Sequence, residues 1–223
     1  MDFMKWLNSL DELLYEVMSW LLFFPLTLWR AVFQPIAVMD QVDREADLPD
    51  GQQYAALLSP PLFLALALLL AHTVSTALGQ TDDIIANHHG LAGLVNDNAS
   101  ALILRVVIFA AFPLFLAARI VRRRGVKLDR TSLRQPFYVQ CYPAAVFALG
   151  VSVGASLAQD HHHLTPTIGH WLLIVSILNY WFVVTGRFAR VLGSGYLRAL
   201  GNVFLGMLEG ALFLIAVGFL FTR

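Results

Sequence analysis

Charge is what this sequence has least of. Only 13% of its 223 residues are Asp, Glu, Lys or Arg, while 58% are hydrophobic. A domain whose surface faces water carries roughly 25% charged residues, so much of this surface must face something else. The mean hydropathy of +0.66 points to lipid. Cysteine is nearly absent as well. The single one, Cys141, lies in an apolar run, which excludes a disulfide within the chain and a thiolate metal cluster. Fifteen Lys and Arg are balanced by fifteen Asp and Glu, and no long basic surface exists for nucleic acid to bind.

Signatures of nucleotide and zinc chemistry are missing too. There is no GxxxxGK[ST], GxGxxG or HExxH sequence, so nothing supports a nucleotide site or a zinc hydrolase. The GSG at Gly193 to Gly195 is too short to claim phosphate. Only His72 and His170 could face inward to hold haem, and no cofactor is expected. A cleavable signal would open with positive charge, whereas here Asp2, Asp11, Glu12 and Glu16 surround Lys5. The expectation is a non-enzymatic protein whose membrane segments stay in place.

What the sequence does have is long apolar runs. Five stretches reach the roughly 20 residues needed to cross a bilayer core of about 30 Å: 60–79, 99–119, 136–158, 166–186 and 200–221. They are continuously apolar rather than alternating, which selects helices over a barrel. The connection between the second and third contains Arg119, Arg122, Arg123, Arg124, Lys127, Arg130 and Arg134. The connection between the fourth and fifth contains Arg187, Arg190 and Arg198. The loops at 80–98 and 159–165 contain no Lys or Arg. Basic loops stay cytoplasmic, so the N-terminus is expected inside and the C-terminus outside.

Before the first span, Lys5, Asn8, Glu12, Glu16 and Ser19 recur at three- and four-residue intervals. Trp6, Leu7, Leu10, Leu14 and Val17 fall on other faces. This pattern predicts an amphipathic helix in the cytoplasmic interface, broken or re-entrant at Pro25, with a sixth span over 17–33 as the rival. Residues 38–58 read as a polar connector. The expected organisation is all-α: 1–58 as an interfacial helix and connector, 59–223 as a five-helix transmembrane domain.

Polar groups inside the spans are the candidate site, because burying them in lipid is costly. Glu209 and Asn179 fall at similar depths, with Gln140 somewhat shallower, and together they predict an inner polar layer. Arg105 and His72 predict an outer one. Together they would mark the path of a small permease. The blander reading is a protonated Glu209 that hydrogen-bonds Asn179 and fixes helix register. Two small-xxx-small pairs, Gly150 with Gly154 and Gly206 with Gly210, predict close helix packing within the chain or at a dimer face. Arg122, Arg123, Arg124, Lys127, Arg130 and Arg134 are candidates for lipid headgroups. His88, His89, His161, His162 and His163 cluster in the two loops without basic residues. They could hold zinc, copper or nickel, or simply form polar turns.

Three segments carry a family resemblance: FFPLTLWRAVFQP before the first span, SPPLFLALALLL opening it, and PFYVQCYPAAVF opening the third. With the order of the spans, they make the chain similar to the Yip-type (Rab-interacting) membrane family and its bacterial permease-like relatives. The resemblance implies five closely spaced helices, a cytoplasmic N-terminus and, for a bacterial relative, the inner membrane. It also implies a role as scaffold, assembly factor or membrane-organising subunit, with lipids and a protein partner or second copy as its contacts.

Overall fold

A computed structural model of the chain describes residues 2–46, 48–49, 53–54, 56–78, 98–159 and 165–222. Among them the only regular structure is α-helix: α1 (Asp2–Phe33), α2 (Pro35–Glu45), α3 (Pro60–Ala77), α4 (Asn98–Arg123), α5 (Arg130–Ala158), α6 (Thr165–Val191) and α7 (Tyr196–Thr222). Six of these, all but α2, contain stretches long and apolar enough to cross a membrane. This is the build expected of an integral membrane protein.

The sixth such stretch is Ser9–Phe33, one more than the five expected. The helix does not break at Pro25; α1 runs through it. A proline inside a helix removes one hydrogen bond, and flanking Leu21, Leu22 and Leu26 continue the helix on either side. Pro113 in α4, and Pro136 and Pro143 in α5, are accommodated in the same way. The chain turns instead at Gln34, with Pro35 opening α2. At that position proline gives up an amide that has no helical partner anyway.

The central element is α5, which packs against α2, α3, α4 and α6. One cluster gathers Phe63, Leu64, Ala67 and Leu68 of α3, Tyr142, Ala145 and Ala148 of α5, and Val38, Met39 and Val42 of α2. Val42 lies one turn from both Val38 and Met39, so the three share one side of α2, and all are fully buried. The stretch expected as a polar connector therefore contains a helix that shares the core of the bundle. Ala31 of α1 and Leu57 and Leu58 join the same cluster, so the described part of 1–58 shares a core with the helices that follow. A second cluster joins Leu116 and Ile120 of α4, Tyr180, Val184 and Phe188 of α6, and Ala199 and Val203 of α7.

Hydrogen bonds fix the chain between α2 and α3. The Tyr142 hydroxyl donates to the Leu58 carbonyl at 2.6 Å, and the Leu58 amide donates to Thr27 Oγ1 at 3.3 Å. Arg30 donates to Gln41 (2.6 Å), Gln41 to Glu45 (2.7 Å), and the Tyr54 amide to Glu45 (2.8 Å). Tyr54 has a φ of 59°, a left-handed turn that this amide bond helps to hold. Its phenol lies above the ordinary range, chiefly because it is partly buried and then because Tyr138 is near.

Asp129 caps α5. Its carboxylate accepts from the Ser132 amide at 2.8 Å, while Ser132 Oγ accepts from the Asp129 amide at 3.0 Å. The Ser132 amide bond holds the Asp129 carboxyl below its ordinary range. A depressed carboxyl stabilises the fold above its unfolded pKa of about 3.9 and loses that contribution as pH falls through the lower folded value. Asp129→Asn keeps a capping oxygen but does not titrate. We therefore expect wild type to melt above Asp129→Asn at neutral pH, with the gap closing below about pH 4. A gap independent of pH would contradict this role.

Candidate functional site

The short connections after α4 and α6 bring the C-terminal ends of those helices beside the N-terminal ends of α5 and α7. The basic residues of both connections consequently share one end of the bundle. Two arginine clusters form there.

The first joins α2 to α6. Arg187 is 6% exposed; its guanidinium donates to Asp40 at 2.6 Å and also pairs with Asp43. Arg190 adds a longer contact to Asp40 at 3.4 Å. Gln135 of α5 donates to Asp43 Oδ1 at 3.0 Å. Asp40 and Asp43 are three residues apart, which puts both on one face of α2. Sequence reading missed this cluster, although the DQVD spacing at 40–43 together with Arg187 was its only available signal.

The second joins α4 to α7 and holds Glu209. Arg119 pairs with one carboxylate oxygen of Glu209 at 2.7 Å and Arg122 with the other at 3.4 Å. Asn202 Oδ1 accepts from Arg123 Nε at 2.8 Å and from Arg119 Nε at 3.4 Å. Glu209 is thus partnered by two guanidinium groups rather than by Asn179.

The expected inner layer does not assemble. Asn179 lines an apolar groove of about 550 Å³ with Leu28, Leu70, Val146 and Leu172. Gln140 is 1% exposed and lines a small crevice with Asp43 and Arg187. Neither of its amide atoms has a hydrogen-bond partner among the described residues. The physical reason is rotation: equal depth along different helices does not put side chains on facing sides. In the expected outer layer the helices do face each other, and Arg105 Nη1 lies 3.2 Å from His72 Nδ1.

Both glycine pairs lie in contacts within the chain. Gly150 and Gly154 of α5 face Ser176, Leu173 and Gly169 of α6. Gly206 and Gly210 of α7 face Leu116 and Phe112 of α4. Gly169 was not singled out from sequence because it has no partner glycine four residues away. Of the basic candidates, Arg124, Lys127 and Arg130 are exposed, and the Arg134 guanidinium lies 5.5 Å from the Tyr138 ring centroid.

The metal candidates His88, His89, His161, His162 and His163 lie outside the described residues. Among the described ones, no group of three or more His, Cys, Asp or Glu is placed to hold a metal. His170 is exposed, with Nδ1 2.6 Å from the Pro166 carbonyl oxygen.

No protein-family model, curated protein or solved structure matches the chain.

Proposed function

We propose that this protein is a non-enzymatic membrane scaffold or organising subunit, of the kind the Yip-type resemblance implies, acting through lipid and protein contacts. Its arginine-rich end faces the cytoplasm, because basic loops resist translocation; the far end of α7 then lies outside.

One observation carries this reading over a permease. The most conspicuous charge within the spans, Glu209, ties α4 to α7 through Arg119 and Arg122. It does not line either of the two large grooves formed among the described residues. Those grooves are walled almost wholly by apolar side chains such as Val17, Leu21, Leu66 and Leu69 in one and Val146, Leu149 and Val153 in the other. Such walls suit acyl chains or apolar helices and offer an ion no replacement for its hydration shell.

The test is flux. Proteoliposomes carrying the protein should dissipate an imposed proton or cation gradient no faster than empty vesicles. Flux above that baseline that disappears in Glu209→Gln would establish the permease and end the scaffold reading.

A further inference from the structure

The two arginine clusters differ in charge balance. Around α2, Arg187 and Arg190 meet two carboxylates, Asp40 and Asp43. Around α7, Arg119, Arg122 and Arg123 share one carboxylate, Glu209, and one neutral amide, Asn202. The first cluster is neutral. The second keeps an excess of two positive charges.

We propose that the α4–α7 seam binds the phosphodiester headgroup of an anionic phospholipid through Arg122 and Arg123. This rests on the lipid-contact part of the proposed function and names the ligand. A guanidinium has five N–H donors. Arg122 uses Nη1 on Glu209, at 3.4 Å, and Arg123 uses Nε on Asn202; their other donors can take phosphate oxygens bidentately. The Arg122 side chain is 53% exposed, so a headgroup can reach it. Asn202 and Glu209 hold the arginines in place, which removes part of the ordering cost of binding.

A lipid is favoured over free phosphate by what continues along α7. Leu205 and Leu212 lie about one turn to either side of Glu209 on the same face, and both are exposed, at 42% and 57%. They give an acyl chain an apolar track away from the arginines. Glu209 has a double effect. It orders the site, yet its charge opposes a second anion.

That opposition gives the test its sign. Full-length protein in detergent would be offered equal amounts of phosphatidylglycerol and phosphatidylcholine, with retained lipid counted by native mass spectrometry. Wild type should retain phosphatidylglycerol preferentially. Each cation near an anionic surface contributes about fivefold, so Arg122→Gln with Arg123→Gln should cut the preference by roughly 25-fold. Glu209→Gln should raise it by about fivefold, whereas a merely structural Glu209 would change melting temperature without changing headgroup preference. Equal retention of both lipids by wild type, or a preference that survives the double Arg variant, overturns the proposal. So does a folded Glu209→Gln with unchanged or lower preference; if that variant does not fold, the double Arg variant decides alone. Displacement of phosphatidylglycerol by millimolar inorganic phosphate would reassign the site to free phosphate and overturn the lipid. Gradient-dissipating flux would sink the scaffold reading while leaving these ratios unchanged.

Discussion

Arg187→Met is expected to destabilise the protein by about 3 kcal/mol, the lower end of the cost of removing one partner from a buried ion pair. The Arg187 side chain is 7% exposed, while Asp40 and Asp43 are about one-third exposed at 34% and 31%. Water can partly screen the two orphaned carboxylates, which is why the low end applies. For a chain of this size that corresponds to a fall in melting temperature of roughly 6 to 12 °C. Adding Asp40→Asn and Asp43→Asn should recover much of the loss, because the burden lies in uncompensated charge rather than missing contacts. A single variant melting with wild type would show that the cluster does not hold α2 to α6.

Gly169→Leu should be comparably damaging, and for steric reasons. A Cβ at this position would meet the Ala158 amide nitrogen and come within 2.6 Å of the Gly154 carbonyl oxygen. Backbone cannot rotate away, so α5 and α6 must separate. The expected loss is about 3 kcal/mol, the upper end for overpacking. Gly150→Ala should be milder, since the nearest obstacle is the Ser176 hydroxyl, which can change rotamer. Gly201 supplies the control. Among the described residues, nothing beyond its own helix backbone lies within 4 Å of a Cβ there, and Gly201→Ala should be neutral or gain up to about 1 kcal/mol from helix propensity. Equal melting of Gly169→Leu and Gly201→Ala would refute the close crossing. Without a hydrophobic drive between helices in lipid, such close approach is a main source of association.

The helices themselves were legible because length and continuous hydropathy mark them. The expected 60–79 compares with Pro60–Ala77, and 200–221 with Tyr196–Thr222. At the arginine-rich end the helices run further than hydropathy indicates. Arg122 and Arg123 still belong to α4, and Arg187 and Arg190 to α6, since a polar turn can stay helical while its side chains reach toward the interface. α2 was not legible. Only Val38, Met39 and Val42 are buried in its eleven residues, too few apolar positions to register against Asp40, Asp43, Arg44 and Glu45. The extent of α1 is half legible: its amphipathic pattern shows in the sequence, whereas Pro25 costs only one hydrogen bond and does not end the helix.

For the polar residues, sequence supplied identity and depth but not azimuth. His72 and Arg105 happen to point toward one another; Glu209, Asn179 and Gln140 do not. Pairing also depends on reach. Arg119 lies near the level of Gly206, a turn from Glu209, and only its long side chain makes the ion pair. Residue spacing alone carries no such information.

Lipid contact at the exposed apolar faces is the claim on which the rest depends, and fluorescence quenching tests it directly. The sole cysteine, Cys141, is fully buried, so it can be changed to Ala and single cysteines introduced elsewhere. Phe182→Cys and Leu212→Cys replace side chains that are 70% and 57% exposed. A fluorophore at either should be quenched by brominated phospholipid and shielded from aqueous iodide. Quenching by iodide instead would place these faces in water and contradict a membrane-embedded bundle.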